Sequence, residues 1–284
     1  MKVGFIGVGY MGYGIAKNLI KHGHKLIVVA NKNRIPIDKI VYDGAVEVKN
    51  FEELCKQDLN ALFLCVTNTS IAISIADKIT NLITSKTLVI DITTHNQNGS
   101  KEMEKIFIKN KVGYVECPVM GGPVQAEEGV LGGIVGASKE NFKKAEVYFK
   151  NFCKNYYYFG NVGEGAKSKL LNNFLSIGTA TLVIELVKSA KKMDVDLEKL
   201  YSVAKLGSGN SGALNRIFEK VLVNDYTGFK FSTANALKDL NYIYELLKDI
   251  PNSEKLVHLK KSIYQEAVNK GHGDLLISEL IEKN

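Results

Sequence analysis

The sequence predicts an α/β amino-terminal half, built on a doubly wound sheet, and an all-α carboxyl-terminal half that begins with a long helix. Short apolar strands alternate with amphipathic helices up to Gly160, a pattern typical of parallel sheets with helices on both faces. From Glu164 to Lys192 the chain reads as one long helical run, and only helical patterns follow it. We therefore divide the chain into residues 1–162 and 163–284.

The chain opens with a predicted buried strand, Lys2–Ile6, that runs into Gly7-Val8-Gly9-Tyr10-Met11-Gly12 and then into helical apolar spacing up to Ile20. This is G-x-G-x-x-G between a strand and a helix. The glycines permit a tight turn and the close approach of a pyrophosphate, and the start of the helix offers N–H groups to phosphates. A glycine-rich turn without a ligand is the alternative. We expect a Rossmann domain whose cofactor contacts Gly7, Gly9, Tyr10, Met11 and Gly12.

The predicted second strand, Lys25–Ala30, lacks the carboxylate that would bind the ribose 2′-hydroxyl of NAD. The chain reads Asn31-Lys32-Asn33-Arg34 instead. Two cations at this point suit the 2′-phosphate of NADP, and a guanidinium can grip a phosphate with two hydrogen bonds. We expect NADP as the preferred cofactor and NAD as the second, with Asn31, Lys32 and Arg34 in the cofactor site. The alternative is that both cations simply decorate a loop.

Two further predicted strands end in polar residues. Asn60–Val66 is followed by the capping cluster Thr67-Asn68-Thr69-Ser70 and a helix over 71–81, and Thr87–Asp91 is followed by Ile92-Thr93-Thr94-His95. Ligands of doubly wound sheets bind outside the carboxyl ends of the strands. We therefore place Val66, Thr67, Asn68 and Thr94 in the cofactor site, with Thr94 also against the substrate.

Lys169 and Asn173 stand four residues apart at the start of the long helix, so their side chains project from one face. A lysine can move a proton and an asparagine amide can hold an oxygen, which is the pairing needed to reduce a carbonyl or oxidise an alcohol. A solvated surface lysine is the alternative. Further helices are predicted over 197–206, 213–223, 234–247 and 254–270.

Composition restricts the class of protein. With 284 residues and 45% hydrophobic content, the chain can form two compact domains with full cores. The net charge of +7 is spread over lysine-rich helices, which argues against a nucleic-acid groove. The longest apolar stretch, Phe174 to Val187, is interrupted by polar residues, so we expect no membrane span.

The cysteines and histidines show no motif. Four cysteines lack C-x-x-C or disulfide spacing and five histidines lack metal-ligand spacing, so we expect reduced thiols and no metal. The first residues enter a strand directly, and we expect no signal peptide and a cytoplasmic location.

Four segments together resemble the β-hydroxyacid dehydrogenase family, which includes 3-hydroxyisobutyrate dehydrogenases and the tartronate and glyoxylate/succinic semialdehyde reductases. They are the opening GFIGVGYMGYGIAKNL, the segment ECPVMGGPVQAEEGVLGGIVG at 116–136, the glycine-rich stretch that leads from Gly160 to Lys169 and Asn173, and the later Ala236-Leu237-Lys238-Asp239-Leu240. The resemblance runs from residue 1 to about 245. It implies the same division into a Rossmann domain and a helical domain.

The resemblance also implies residue roles. Lys169 corresponds to the acid/base of the family and Asn173 to the residue that orients the substrate oxygens, while Lys238 corresponds to a lysine near both nicotinamide and substrate. The amides of Gly121 and Gly122 correspond to the group that holds the substrate carboxylate, with a structural turn as the alternative. The family usually reads DAPVSGG here. This chain places Met120 where the family has a serine hydroxyl that bonds the substrate.

The sequence therefore predicts an NADP-preferring oxidoreductase that transfers hydride between the cofactor and a small β-hydroxy acid or semialdehyde, as a homodimer or homotetramer. An imine reductase is one alternative, although the related imine reductases have the catalytic lysine replaced. A non-catalytic NADP-binding regulator is another. A 6-phosphogluconate dehydrogenase is disfavoured because its helical region is much longer than this chain allows.

Overall fold

The computed structural model describes residues 1–31 and 33–283. It contains two compact units, of which the first is Met1–Lys169 and the second begins at Leu170. The first unit has a nine-stranded sheet. Its strands are β1 (Lys2–Ile6), β2 (Lys25–Val29), β3 (Val46–Val48), β4 (Ala61–Leu64), β5 (Leu88–Asp91), β6 (Gly113–Glu116), β7 (Val119–Met120), β8 (Leu131–Ala137) and β9 (Cys153–Gly160).

Seven helices connect these strands. They are α1 (Tyr10–Lys21), α2 (Ile35–Tyr42), α3 (Phe51–Cys55), α4 (Thr69–Ile79), α5 (Gln97–Ile108), α6 (Pro123–Glu128) and α7 (Lys139–Phe152). Helix α8 (Glu164–Lys192) begins in the first unit. The remaining helices of the described chain are α9 (Leu197–Ala204), α10 (Gly212–Val221), α11 (Thr233–Leu247), α12 (Pro251–Asn269) and a 3-10 helix at Ile277–Glu282.

Six strands form a parallel sheet in the order β3-β2-β1-β4-β5-β6. In this order the chain reverses direction across the sheet between β1 and β4, and a crevice forms outside the carboxyl ends of those strands. The residues that follow β1, β4 and β5 therefore meet at one edge. The predicted fold class, a Rossmann-type sheet followed by helices, is confirmed.

The other side of the sheet departs from the parallel pattern. Strand β8 pairs antiparallel with β6, where Val115 lies opposite Ala137, and antiparallel with β7, where Val119 lies opposite Gly133. Strand β9 pairs with β8 in parallel. This arrangement places the segment Glu116–Gly122 beside β8, so the predicted substrate loop is anchored in the sheet.

Two faces of the sheet are buried under helices, and the core follows from the apolar strands. Phe5 of β1 stacks on Phe63 of β4 with 5.6 Å between ring centroids, and Phe63 meets Phe152 of α7 edge to face. A second apolar cluster covers the opposite face and includes Leu62 and Phe107. Central parallel strands buried on both faces require continuous apolar runs, which these strands have.

Helices α1 and α6 pack with their backbones in direct contact. A Cβ atom at Gly14 would lie 2.5 Å from the carbonyl carbon of Ala126, so only glycine fits at this crossing. Asn18 is buried and its amide donates hydrogen bonds to the carbonyl oxygens of Gly14 (2.9 Å), Ala126 (2.8 Å) and Glu127 (3.0 Å). Side chain and backbone together fix α1 against α6.

The second unit is helical throughout its described residues. Its core joins α8 to α10, α11 and α12 through residues such as Ile177, Phe218, Leu240 and Tyr264. Among the described residues α8 is also the single helix long and apolar enough to cross a membrane. A buried core helix meets the same criterion, and half of its most apolar stretch is buried in the structure. Residues 174–187, on which the prediction of no membrane span is based, lie within this helix.

Candidate active site

The glycine loop after β1 has three glycines with different surroundings. Gly7 has φ +100°, and a Cβ there would lie 2.2 Å from the carbonyl oxygen of Cys65. A Cβ at Gly12 would lie 2.1 Å from the carbonyl oxygen of Gly7. At Gly9 nothing lies within 4 Å of the Cβ position. Two glycines are therefore required by packing, and the third leaves open space above the loop.

That open space faces the start of α1. Gly9 is the N-cap residue of this helix and supplies no side-chain cap, while Tyr10 is 87% exposed and Met11 is half-buried. The first turn of a helix presents N–H groups without helical acceptors and the positive end of the helix dipole. An uncapped helix start beneath an open glycine fits the pyrophosphate of a dinucleotide.

Arg34, which follows β2 and is predicted to bind the 2′-phosphate, already has partners in the structure. Arg34 donates to Asp38 Oδ1 (2.6 Å) and to both carboxylate oxygens of Glu47 (2.6 and 3.0 Å). The hydrogen bonds from Arg34 to Glu47 lower the pKa of the Glu47 carboxyl. Asn31 is exposed, and the predicted Lys32 lies outside the described residues. The guanidinium is thus already paired with two carboxylates that sequence reasoning did not associate with it.

The polar residues after β4 and β5 lie at the edge predicted for the cofactor. The Val66 amide donates to Thr93 Oγ1 (3.1 Å), which joins the ends of the two strands. Asn68 is the N-cap of α4 and accepts from the Ile71 amide (2.9 Å), so this helix begins at Thr69 rather than at the predicted Ile71. Thr67 is exposed and Thr94 is half-buried.

Behind these residues lies a buried network that sequence reasoning missed. The Asp91 carboxylate accepts from His95 Nε2 (2.8 Å), from the Tyr114 hydroxyl (3.1 Å) and from the Thr93 amide (2.9 Å). Asp91 is fully buried, and His95 is 1% exposed. Burial, with the Asp91 charge as a smaller cause, raises the pKa of Tyr114. The network fixes the backbone that carries Thr93 and Thr94.

Lys169 lies in a buried position against the predicted substrate loop. The residue is 8% exposed. Its Nζ donates to the carbonyl oxygen of Val119 (2.7 Å) and lies 3.2 Å from Met120 Sδ. Of the two lysines near the start of α8, Lys167 is partly exposed and pairs with Glu164, so Lys169 is the one turned toward β7. The alternative of a solvated surface lysine is wrong for Lys169.

The loop after β7 carries the two predicted glycines. Gly121 has φ +118°, and a Cβ there would lie 2.7 Å from Leu131 Cδ2. The Gly122 amide donates to Gln125 Oε1 (2.9 Å). Gln125 was not among the predicted site residues, and a substrate carboxylate would have to displace its side chain from this amide.

The remaining predicted residues belong to the second unit. The Asn173 amide donates to Asp239 Oδ2 (2.7 Å), and Lys238 Nζ lies 3.0 Å from Asp239 Oδ1 and 5.6 Å from the centre of the Tyr242 ring. Asn173 and Asp239 are 5% and 2% exposed. One carboxylate therefore contacts both predicted residues. Asp239 was not among the predicted site residues. The sequence signal for it was its position next to Lys238 in the Ala236–Leu240 segment.

The sequence predicts reduced cysteines and no metal site, and both predictions concern side chains that the structure describes. All four cysteines have free thiols, and burial raises the pKa of the Cys153 thiol to about 12. Within residues 1–31 and 33–283, no group of three or more histidine, cysteine or acidic side chains is arranged to hold a metal ion.

Comparison with known families covers both units. A family model described as the NAD binding domain of 6-phosphogluconate dehydrogenase matches residues 2–160. A second, described as NAD-binding of NADP-dependent 3-hydroxyisobutyrate dehydrogenase, matches residues 163–283. Together these matches span nearly the whole chain.

Individual proteins agree with the family models. The mitochondrial 3-hydroxyisobutyrate dehydrogenase of Bos taurus is 30% identical over 287 residues, covering 95% of this chain and 82% of that protein. The structure of Mycobacterium tuberculosis 3-hydroxyisobutyrate dehydrogenase with L-serine has a TM-score of 0.87 at 20% identity, covering 99% and 98% of the two chains. Psf3 in complex with NADP+ and 2-OPP has a TM-score of 0.87 at 22% identity, covering 98% of both. The chain therefore belongs to the β-hydroxyacid dehydrogenase family, as an NAD-binding dehydrogenase related to the 3-hydroxyisobutyrate dehydrogenases.

Proposed function

We propose that the protein transfers hydride between NADP(H) and a small β-hydroxy acid or semialdehyde, with Lys169 as general acid/base. The observation that carries this proposal is the position of Lys169 Nζ. It is buried, held by the carbonyl oxygen of Val119, and next to the loop that contains Gly121 and Gly122. An ammonium group in this place can donate a proton to a substrate oxygen while water is largely excluded.

The chemistry divides between the cofactor and the protein. When bound, the nicotinamide supplies or accepts the hydride. In the reducing direction Lys169 Nζ gives a proton to the carbonyl oxygen of the substrate, and in the oxidising direction it takes the hydroxyl proton. The Val119 carbonyl holds the ammonium in place but cannot take its proton away, because a backbone carbonyl only accepts hydrogen bonds. Asn173, held by Asp239, is proposed to orient the substrate oxygens, with Lys238 near the nicotinamide and substrate.

The substrate class follows from the loop after β7. Backbone amides at Gly121 and Gly122 supply hydrogen-bond donors without bulk, which suits a carboxylate. Binding at Gly122 would exchange the Gln125 side chain for the carboxylate. Met120 offers a flexible apolar thioether, so we propose methylmalonate semialdehyde/3-hydroxyisobutyrate or an unbranched semialdehyde rather than hydroxylated analogues such as tartronate semialdehyde.

The preference for NADP over NAD is part of the same proposal. Asn31 stands after β2, where a carboxylate would favour NAD, and a protein of the same fold has been solved with NADP+. The pairing of Arg34 with Asp38 and Glu47 sets a condition, because the 2′-phosphate must replace at least one carboxylate. NAD remains the second cofactor.

The exposed surface of α8 bears on the oligomeric state of the protein. Helix α8 carries exposed large apolar side chains at a helical spacing of four and seven residues, namely Leu171, Leu175, Leu182 and Leu186. Such a stripe supports a homo-oligomer, either a dimer or a tetramer. The cytoplasmic location stays a prediction from the sequence.

A steady-state screen tests the central proposal. Short β-hydroxy acids and semialdehydes are offered with NADP(H) and NAD(H), and turnover is followed by cofactor absorbance. We expect turnover with 3-hydroxyisobutyrate or a related semialdehyde, and none with cyclic imines. Cofactor binding without turnover of any substrate would favour a non-catalytic regulator, and imine reduction alone would favour an imine reductase.

A further inference from the structure

Glu116, the last residue of β6, is fully buried, and its carboxylate reaches the start of helix α8. Its Oε1 accepts hydrogen bonds from the amides of Gly163 (2.7 Å) and Gly165 (2.8 Å). The two segments are 47 and 49 residues apart in the chain. A buried carboxylate is costly to desolvate unless it accepts hydrogen bonds of this kind. The Gly163 and Gly165 amides therefore offset part of the free-energy cost of burying the Glu116 carboxylate.

Helix α8 has no cap of its own. The Lys167 amide donates to the Gly163 carbonyl (3.1 Å), which makes Gly163 the N-cap residue, and glycine has no side chain to accept from the amides of the first turn. Gly163 also has φ +97°, a conformation that disfavours the usual capping side chains. Glu116 supplies the missing acceptor from another element, with a negative charge at the positive end of the helix dipole.

The carboxylate sits in a close-fitting place between β8 and α8. A Cβ at Gly136 of β8 would lie 2.1 Å from Glu116 Oε1, and one at Gly165 would lie 2.8 Å from the Gly136 amide nitrogen. Helix and strand approach this closely only because both positions are glycine. The first turn of α8 is thus set by backbone contact on one side and by the Glu116 carboxylate at its end.

Lys169 follows Gly165 by one helical turn, on the same face. The chain continues from Glu116 at the end of β6 to Val119 at the start of β7, whose carbonyl accepts from Lys169 Nζ (2.7 Å). Residues 116–119 therefore contact α8 twice, once at its first amides and once at its lysine. The carboxylate fixes where the helix starts, and the start of the helix fixes how far the lysine reaches along the substrate loop.

We propose that Glu116 is a positioning residue that sets the place of the Lys169 ammonium against the loop Val119–Gly122. This proposal rests on the proposed function in assigning Lys169 the proton transfer, but the placement itself can be measured without turnover. Burial raises the pKa of Glu116, and the hydrogen bonds from the amides of Gly163 and Gly165 oppose that rise.

The test compares Glu116→Ala, Glu116→Asp and Glu116→Gln with the unmodified protein. Alanine removes the acceptor, aspartate withdraws it by one methylene, and glutamine keeps one carbonyl oxygen at the same distance. Asn151→Ala is the matched control, because it removes another buried polar side chain of the first unit, whose amide donates to His24 Nε2 (2.9 Å). Each protein is labelled by reductive methylation, and peptide mass spectrometry gives the rates at Lys169 and Lys167.

We expect Lys169 to react several-fold faster in Glu116→Ala, with an intermediate rate in Glu116→Asp, while Glu116→Gln and Asn151→Ala match the unmodified protein. Lys167, which is partly exposed, serves as the internal reference. With an active substrate, kcat of Glu116→Ala should fall by about ten- to a hundredfold at nearly unchanged cofactor affinity, since a misplacement of about 1 Å can cost about a hundredfold.

Two results would overturn the proposal. One is an unchanged Lys169 rate in Glu116→Ala and Glu116→Asp. The other is a rise of the same size in Asn151→Ala, which would indicate general loosening of the first unit. If no hydroxy acid or semialdehyde is turned over by the unmodified protein, the proposed function fails, whereas the labelling rates still decide whether Glu116 places Lys169.

Discussion

Asn173 on α8 donates its amide to Asp239 on α11 across 2.7 Å, and both side chains are nearly excluded from solvent. The carboxylate fixes which way the amide points, because a carboxylate accepts only from the NH2 group. The Asn173 carbonyl oxygen is consequently the end that remains for other partners. Asn173, which the sequence predicts to hold a substrate oxygen, thus has a defined side-chain orientation within the helical unit.

Replacing Asp239 with alanine should lower both turnover and stability. Asn173 loses its acceptor and Lys238 loses its ion pair, and an unsatisfied buried donor costs about 1–3 kcal/mol. Asp249→Ala, an exposed position just after α11, is the control and should change stability by less than about 0.5 kcal/mol. Urea unfolding and kcat measure the two effects. Equal stability of the two variants would contradict this reading of Asp239.

Replacing Lys169 with alanine should reduce turnover by about 10²–10⁴, the loss typical of a missing general acid/base. Cofactor affinity should stay nearly constant, because Lys169 Nζ contacts Val119 and Met120 of the proposed substrate loop. Lys167→Ala removes a lysine two residues away that pairs with Glu164 on the partly exposed side of the helix. Its turnover should remain close to that of the unmodified protein. Comparable losses in both variants would transfer the chemistry to another residue.

The pairing of Arg34 predicts opposite effects of two substitutions on NADPH binding. Arg34→Ala, alone or with Lys32→Ala, should weaken NADPH by the loss of charge-assisted hydrogen bonds worth about 1.5–3 kcal/mol and leave NADH unchanged. Glu47→Gln removes a competitor for the guanidinium and should tighten NADPH. Fluorescence titration gives each affinity. Equal binding of NADPH and NADH by the unmodified protein would refute the preference.

Met120→Ser should shift substrate preference toward hydroxylated semialdehydes. A serine hydroxyl can bond the extra hydroxyl of tartronate semialdehyde, so its kcat/KM relative to methylmalonate semialdehyde should rise by the equivalent of about 0.5–1.5 kcal/mol. Met120→Leu keeps an apolar side chain of similar size and should keep the original ratio. The ratio cancels any general effect on Lys169, which lies 3.2 Å from Met120 Sδ. An unchanged ratio in the serine variant would place Met120 outside the substrate pocket.

His24 should make the protein less stable in mild acid. The ring is buried and its Nε2 lies 2.9 Å from Asn151 Nδ2, an arrangement that suits the neutral ring. Burial, and to a smaller extent the positive amino terminus, lowers the pKa of His24 below its ordinary value of about 6.5. The unfolded chain therefore takes up this proton at a higher pH than the folded protein does.

The stability contributed by His24 is thus complete above the ordinary pKa and is lost as pH falls from there toward the lowered folded pKa. Melting temperatures between pH 8 and about 5.5 should fall less in His24→Gln than in the unmodified protein. His258→Gln, at an exposed position on α12, should fall as much as the unmodified protein does. Parallel curves for all three proteins would show that His24 does not titrate as expected.

Much of the fold is encoded in short stretches of sequence. The strand, glycine loop and helix at residues 2–21, the strands at β4 and β5, and the helices after Gly160 were all predicted within a few residues. Among the elements that the sequence did not predict, strand β8 depends on distant pairing. Strand β8 reads LGGIVGA, and its three glycines give no alternation that marks a strand, because its order comes from pairing with β6, β7 and β9.

In the candidate active site, too, the sequence predicts residues but not their contacts with distant parts of the chain. Lys169 and Asn173 could be selected because their spacing and residue types carry chemical meaning on one helix. Their pairing with Val119 and Asp239 could not be predicted, because Val119 lies 50 residues from Lys169 in the chain and Asp239 lies 66 residues from Asn173. The pairing of Arg34 with Glu47 is likewise created by the fold.

The tight contact between α1 and α6 links two loops that serve different ligands. Helix α1 starts at the glycine loop proposed for the dinucleotide, and α6 starts at the glycine pair proposed for the substrate carboxylate. Since Gly14 and Asn18 lock these helices side by side, the two loops form one frame whose spacing neither can alter alone. Substitutions at exposed positions of either loop should leave this spacing unchanged, because they do not touch the contact between α1 and α6. Substitutions at Gly14 or Asn18, which lie outside both loops, would disturb the two binding events together.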